Sequence, residues 1–361
     1  MSDPDVLLVG PYPPPFGGIS AHVARLAHAV SADGMSVAVV NHFRTREANE
    51  LIVADLARNP LRYWTVLRRL EPRVLHYHHA RWSTLVAAAL AVRRSTGTSV
   101  VTIHGRELEP FLESRLPGIA PLTRWALTSF DVLIAVSAEI ERSLRPLGRT
   151  VSVIPAFIPA DDDARLSPQA NDFLNGGTNL LVAAYRLTVD GRGRLIYGLE
   201  TAIRSFTVLA PARRQLRLAI FLASAPRSRA ERDRLSRLIE AVDDDEVRRR
   251  IGVFHGQPLM PALRRARIYL RPTLTDGDAV SIREAIAAGV PVLASDVVAR
   301  PPGVQCLPLE VPRWVTAIER RLDEGESAPI AAATGDPRDE LMAIYRGLCR
   351  RSSREVAVPV P

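Results

Sequence analysis

Short apolar runs alternate along this chain with longer stretches in which apolar residues recur every third or fourth position. "DVLLVG" (5–10) is almost unbroken, the pattern of a strand buried on both faces. In "GGISAHVARLAHAV", which follows it closely, Val23, Leu26, Ala27 and Val30 fall at i, i+3, i+4 and i+7, one stripe of a helix. Gly34 ends that helix and "MSVAVV" (35–40) resumes the strand pattern. The rhythm continues through "RVLHYH" (73–78), "STLVAAALAVRR" (83–94), "TSVVTIHG" (98–105) and "FDVLIAVS" (130–137), then a helix from 138 and "TVSVIP" (150–155). Strands separated by helices pair in parallel and are covered on both faces.

The pattern breaks at "AFIPADDDARLSPQANDFLNGG" (156–177), acidic and rich in breakers, which predicts an interdomain linker over 161–177. It restarts with "NLLVAAYRL" (179–187), helix "YGLETAIRSFTVLA" (197–210), "LRLAIFLAS" (216–224), a charged helix (226–242) and "IGVFHG" (251–256). Helix "LMPALRRA" (259–266), "RIYLRP" (267–272), a short helix around 281–288 and "VPVLASD" (290–296) complete it. The expected fold class is therefore α/β: two Rossmann-like, doubly wound domains, 1–160 and 178–338, facing across a cleft. Helix 339–352 is expected to pack back on the first domain. Such sheets bind ligands beyond the carboxyl ends of their strands, so the cleft is the expected ligand site.

With 47 basic residues against 39 acidic ones, the chain carries a formal charge of +8, and no lysine occurs. Arginine suits planar phosphate and carboxylate recognition and makes a poor general base or Schiff-base group. Anionic partners are expected, although an Arg- and Ala-rich composition also reads as solvated surface. No zinc-finger spacing, RNP-like aromatic segment or basic zipper is present, so nucleic acid is not an expected partner. Cys306 and Cys349 fit neither a metal site nor a disulfide framework. No leader pattern and no apolar stretch of about 18 residues stands out, so the expected location is cytoplasmic.

Four segments carry chemistry. In "PYPPPFGGIS" (11–20), Gly17 and Gly18 let backbone amides approach an anion at a helix start, though they can equally shape a tight turn. His104 stands at the carboxyl end of the strand in "VVTIHG", as a cleft-facing group or a hydrogen-bonded fixture. "HYHHAR" places His76 and His78 on one strand face and His79 on the other, with no carboxylate or cysteine at ligand spacing, so no metal is expected there. In "AAYRLTVDGRGRLIYG", Arg186, Arg192 and Arg194 could neutralise a departing diphosphate. In "TDGDAVSIREAIAAGVPVLASD" (275–296), Ser281 and Glu284 match a capping box, while Asp276-Gly-Asp278 has the spacing of an Asp-x-Asp metal motif from another sheet context.

In this order the segments resemble the retaining glycosyltransferases of family 4, which have the two-domain GT-B architecture. The resemblance spans nearly the whole chain and rests on "GGISAHVARL", "VVTIHG", "DVLIAVSAEIERSLRPLG" running into "VSVIP", "YRL", "VFHGQ" and "DGDAVSIREAIAAGVPVLASD". It implies that Glu284 accepts hydrogen bonds from ribose hydroxyls and that the amides around Ala279, Val280 and Ser281 meet a diphosphate. It implies Asp276 near the transferred sugar, Gly17 and Gly18 on the phosphates, His104 beside the sugar ring and Arg186 on the leaving diphosphate. For Glu284, capping and binding need not exclude each other.

The family usually places glutamate where this chain has Asp276, and lysine where it has Tyr197. A neutral tyrosine cannot supply the missing charge, which makes Arg192 or Arg194 the expected replacement cation. The implied activity is transfer of a sugar from a nucleoside-diphosphate donor to a hydroxyl, with retention, no cofactor and no metal. A glycan or lipid-linked acceptor in polysaccharide or cell-envelope synthesis is expected. Arg-rich apolar segments at 59–70 and 111–130 suit peripheral contact with the inner membrane face. The missing lysine keeps a non-transferring GT-B binding protein in view, alongside a sugar-nucleotide epimerase.

Overall fold

The computed structural model describes residues 3–14, 17–44, 49–56, 66, 69–78, 81–93, 97–159, 164–226, 228–276, 279–324 and 336–355, with side chains up to 350. Two compact units emerge. The first holds Met1–Pro13, Gly18–Ile158 and Gly335–Pro361, the second Pro14–Gly17 and Pro159–Thr334.

The first unit is built on seven parallel strands: β1 (Val6–Gly10), β2 (Val37–Asn41), β3 (Ile52–Asp55), β4 (Val74–His78), β5 (Thr98–Ile103), β6 (Val132–Ala135) and β7 (Val151–Val153). Their order is β3-β2-β1-β4-β5-β6-β7. Order reverses between β1 and β4, where connections leave in opposite directions and open a crevice at the carboxyl ends. All five residues of β1 and all five of β4 are buried, as an unbroken apolar run requires in the middle of such a sheet. Helix Gly18–Ala32 buries Val23, Leu26, Ala27 and Val30 on β1 and β2. The helix Pro337–Glu355 adds Leu341, Met342, Tyr345 and Leu348 to the same core, and Arg346 pairs with Asp33.

In the second unit the strands are β8 (Thr178–Ala184), β9 (Leu216–Leu222), β10 (Ile251–His255), β11 (Ala266–Arg271), β12 (Val292–Ser295) and β13 (Gln305–Leu307). They run β10-β9-β8-β11-β12-β13, with the reversal between β8 and β11. Alternate residues feed opposite faces. Leu180, Val182, Ile268, Leu270 and Leu293 meet helices Leu199–Leu209 and Val311–Asp323, whose Trp314 is fully buried. Leu181, Tyr269 and Ala294 meet Pro168–Asn175 and Val280–Ala287 on the other face.

Helix Pro168–Asn175 corrects the linker reading of 161–177. The Ser167 hydroxyl accepts from the amide of Ala170 at 3.3 Å, Pro168 suits the first turn, and Ala170 and Leu174 are buried in this unit's core. A cap and two apolar residues outweigh the local run of breakers. The segment 111–130 likewise turns inward, burying Thr123, Ala126 and Leu127 of the helix Ile119–Thr128. The segment 59–70 lies almost wholly outside the described residues, as do His79 and Asp278.

Candidate active site

At the reversal point of the second unit, the carboxyl ends of β8, β11 and β12 carry arginine. Arg271, the last residue of β11, lies flat on Asp276: Nε donates to Oδ2 at 3.0 Å and the terminal nitrogen to Oδ1 at 2.9 Å. Arg300, after β12, donates to the same Oδ2 at 2.8 Å, and the Thr273 hydroxyl adds a bond at 3.2 Å. The three charged side chains are 10% (Arg271), 8% (Asp276) and 2% (Arg300) exposed. Burial alone would raise the Asp276 carboxyl, but Arg271 and then Arg300 hold it below its usual value. Expected beside a sugar, Asp276 instead has both oxygens committed to two guanidiniums. A carboxylate in this setting positions arginines, because buried guanidiniums demand a counter-charge.

Arg186 lies two residues past β8. Its guanidinium stacks 4.8 Å from the centre of the Tyr185 ring and donates to the Tyr185 hydroxyl at 3.4 Å, while its buried Nε has no partner. An unmatched, charged N–H at a strand end is costly unless a ligand completes it.

Helix Val280–Ala287 begins after the loop that follows β11, with Ala279 as its N-cap and no side-chain cap bond. The capping box is thereby corrected. Alanine offers no cap oxygen, Ser281 sits two positions past the cap, and its hydroxyl instead accepts from Tyr269 at 2.8 Å. Glu284 is inside the helix and 5% exposed. Burial raises the Tyr269 phenol against the pull of Arg271, and the charges of Asp276 and Glu284 add to the rise.

The loop with Arg192 and Arg194 is a tight turn pinned by Asp190, whose Oδ1 accepts both arginine amides at 2.9 Å. The Arg194 guanidinium pairs with Asp190 at 2.8 Å and is 56% exposed, so its charge is already answered. The guanidinium that does face Tyr197 is Arg271, 5.0 Å from the ring centre. Next in sequence, Gly198 has φ +65°, and a Cβ there would lie 1.7 Å from the Pro272 carbonyl oxygen, so no other residue fits. Arg271 and Arg300 escaped the sequence reading. Arg271 ends an apolar strand, the same signal that marked His104; Arg300 carried no such mark.

In the first unit, His78 ends β4 and His104 follows β5, flanking the crevice, while His22 projects from helix Gly18–Ala32. Gly18 opens that helix, and Gly17 precedes it in the chain. His78 Nδ1 and His104 Nε2 are 3.1 Å apart, and His22 Nδ1 bonds the Ala156 carbonyl. Neighbouring His76 is fully partnered, by Tyr345 and, at 2.7 Å, by Thr102.

Burial pushes the His22 imidazole down to about 4, and His76 and His78 well below their usual value, the neighbouring imidazoles adding to it. These rings are neutral in the folded protein and charge once the chain unfolds. Stability is therefore full above about pH 6.5 and is lost as pH falls toward 4, with His22 alone contributing roughly 3 kcal/mol. Urea melts between pH 7.5 and 4.5 should show this decline, and a His76→Gln variant should shrink it.

Residues 16–162 match the profile described as Glycosyltransferase Family 4. That match spans less than half of the chain. The matched stretch contains His22, His78 and His104 and ends past β7. Over the whole chain, the solved sucrose-phosphate synthase of Thermosynechococcus elongatus is similar at 17% identity, TM-score 0.64, covering 97% of this chain and 98% of that one. An E. coli structure described as trehalose-6-phosphate bound with UDP-2-fluoro glucose is similar at 13% identity, TM-score 0.61, covering 98% of both chains. The UDP-GlcNAc 2-epimerase of Neisseria meningitidis bound to UDP-GlcNAc is similar at 15%, TM-score 0.61, covering 95% and 99%. A search of curated protein sequences finds no match. At these identities the likeness establishes the fold, GT-B. Among the described residues no helix is long and apolar enough to cross a membrane.

Proposed function

We propose that the chain is a retaining glycosyltransferase that moves a sugar from a nucleoside diphosphate to a hydroxyl of a glycan or lipid-linked acceptor. The observation that carries this reading is Arg186, a half-buried guanidinium with an unmatched Nε at the reversal point of the second sheet. That is where open α/β sheets take their ligands. An anion of diphosphate type would complete the Nε and gains charge as the sugar leaves, so the arginine stabilises departure more than binding. The amides of Ala279 to Ser281 open a helix toward the same ligand, and Glu284 takes the ribose hydroxyls. The reading gives to Arg186 and these amides the charge that a metal supplies elsewhere, with the Asp276 pair holding the surrounding loops. His104 is assigned to the sugar ring by resemblance, and the amides at Gly17 and Gly18 to the phosphates.

Glu284→Gln should weaken donor binding about 10- to 100-fold, the worth of one or two hydrogen bonds to a charged acceptor. Calorimetry on the folded variant measures it, and unchanged affinity would remove Glu284 from the site. Support for a second reading comes from the similarity to the Neisseria epimerase. An epimerase would convert UDP-GlcNAc with no acceptor present, whereas a transferase releases the diphosphate.

A further inference from the structure

The three histidines at the crevice of the first unit have a geometry that a packed core does not need. The ring centres of His22, His78 and His104 form a nearly equilateral triangle, with sides of 5.2, 5.1 and 5.4 Å. Each ring offers a nitrogen lying within 4.8 Å of the other two. His78 Nδ1 and His104 Nε2 share a hydrogen bond at 3.1 Å, a separation near the value of about 3.3 Å that the same two nitrogens would adopt at about 2.05 Å from one tetrahedral ion once that proton is displaced.

Partnering points the same way. His22 Nε2 is buried without a hydrogen-bond partner, an unfavourable state unless a ligand completes it. Nearby, His76 has both nitrogens satisfied, so this core can accommodate an imidazole fully where the ring is only structural. The Ala156 carbonyl takes the Nδ1 proton of His22, which fixes the tautomer and leaves Nε2 as a lone pair facing inward. Burial keeps His22 and His78 neutral, the form in which imidazole ligates.

We propose that His22, His78 and His104 bind one divalent transition-metal ion of the zinc type. Three neutral imidazoles with no carboxylate favour zinc, cobalt or copper over magnesium and calcium, which want oxygen. Three protein ligands leave a fourth position open to water or to an anionic oxygen of a ligand. Binding of the ion does not depend on the transferase reading. Under that reading the ion withholds His104 from the sugar, so it would inhibit transfer.

The test is titration of the chelator-treated, full-length protein with Co²⁺ at neutral pH, followed by displacement with Zn²⁺. One equivalent should bind with the visible bands of a tetrahedral nitrogen site, and Mg²⁺ should neither bind nor displace. Loss of an outer-shell partner costs 10- to 100-fold in metal affinity, so His104→Ala, which removes a half-exposed ligand, should weaken Zn²⁺ binding by at least about 100-fold. His255→Ala, at an exposed histidine in the second unit, should leave it unchanged. Circular dichroism confirms that each variant is folded. Absence of stoichiometric Co²⁺ binding by the unmodified protein overturns the proposal, as does equal affinity in a folded His104→Ala variant. If Co²⁺ binds and no sugar nucleotide does, the metal site stands and the transferase reading falls.

Discussion

Replacing Asp276 by alanine is expected to destabilise the protein by about 3–5 kcal/mol, a large share of the roughly 5–15 kcal/mol that holds a typical fold. The change removes the only carboxylate paired with Arg271 and Arg300 among the described residues and leaves two buried guanidiniums without it. The penalty comes from that uncompensated charge and exceeds the net worth of the ion pairs in the intact protein. Exchanging all three residues for apolar ones of similar volume should therefore cost far less than the single substitution. Chemical denaturation of both variants checks the pair of outcomes. An Asp276→Ala protein within 1 kcal/mol of the parent would mean that water reaches the cluster and that the carboxylate is not its anchor.

Arg186→Ala should lower turnover about 100- to 1,000-fold with little change in donor KM, since the guanidinium is asked to stabilise charge that appears only as the diphosphate departs. Release of nucleoside diphosphate from the preferred donor is the readout. Arg186→Lys should recover part of the loss, because it returns charge without the planar fork. A fall confined to KM would instead make Arg186 a ground-state binding group.

The doubly wound architecture was legible because central parallel strands are apolar on both faces. The runs at 5–10, 73–78 and 179–187 each mark a central strand, β1, β4 and β8. Ile52–Asp55 and Gln305–Leu307 left no such mark, being short edge strands with partly exposed residues. Helix Val311–Asp323 was hidden by a proline in its first turn and by arginines flanking the buried Trp314. Motif order pointed to Arg186, His104 and Glu284, but the arginine clamp on Asp276 joins residues 271, 276 and 300 through the ends of two strands. The histidine triangle joins 22, 78 and 104 in the same way. Local spacing signals a cap or a turn; it does not report which strand ends become neighbours, which is why "SIRE" suggested a capping box that the helix start at Ala279 displaces.

The central claim is that the second unit binds an activated sugar through Arg186 at its strand reversal. Isothermal titration of the unmodified protein with UDP-, GDP-, ADP-, CDP- and dTDP-sugars tests it most directly. The account predicts saturable heat with at least one of them, reduced by Glu284→Gln. No heat with any of the five would contradict it.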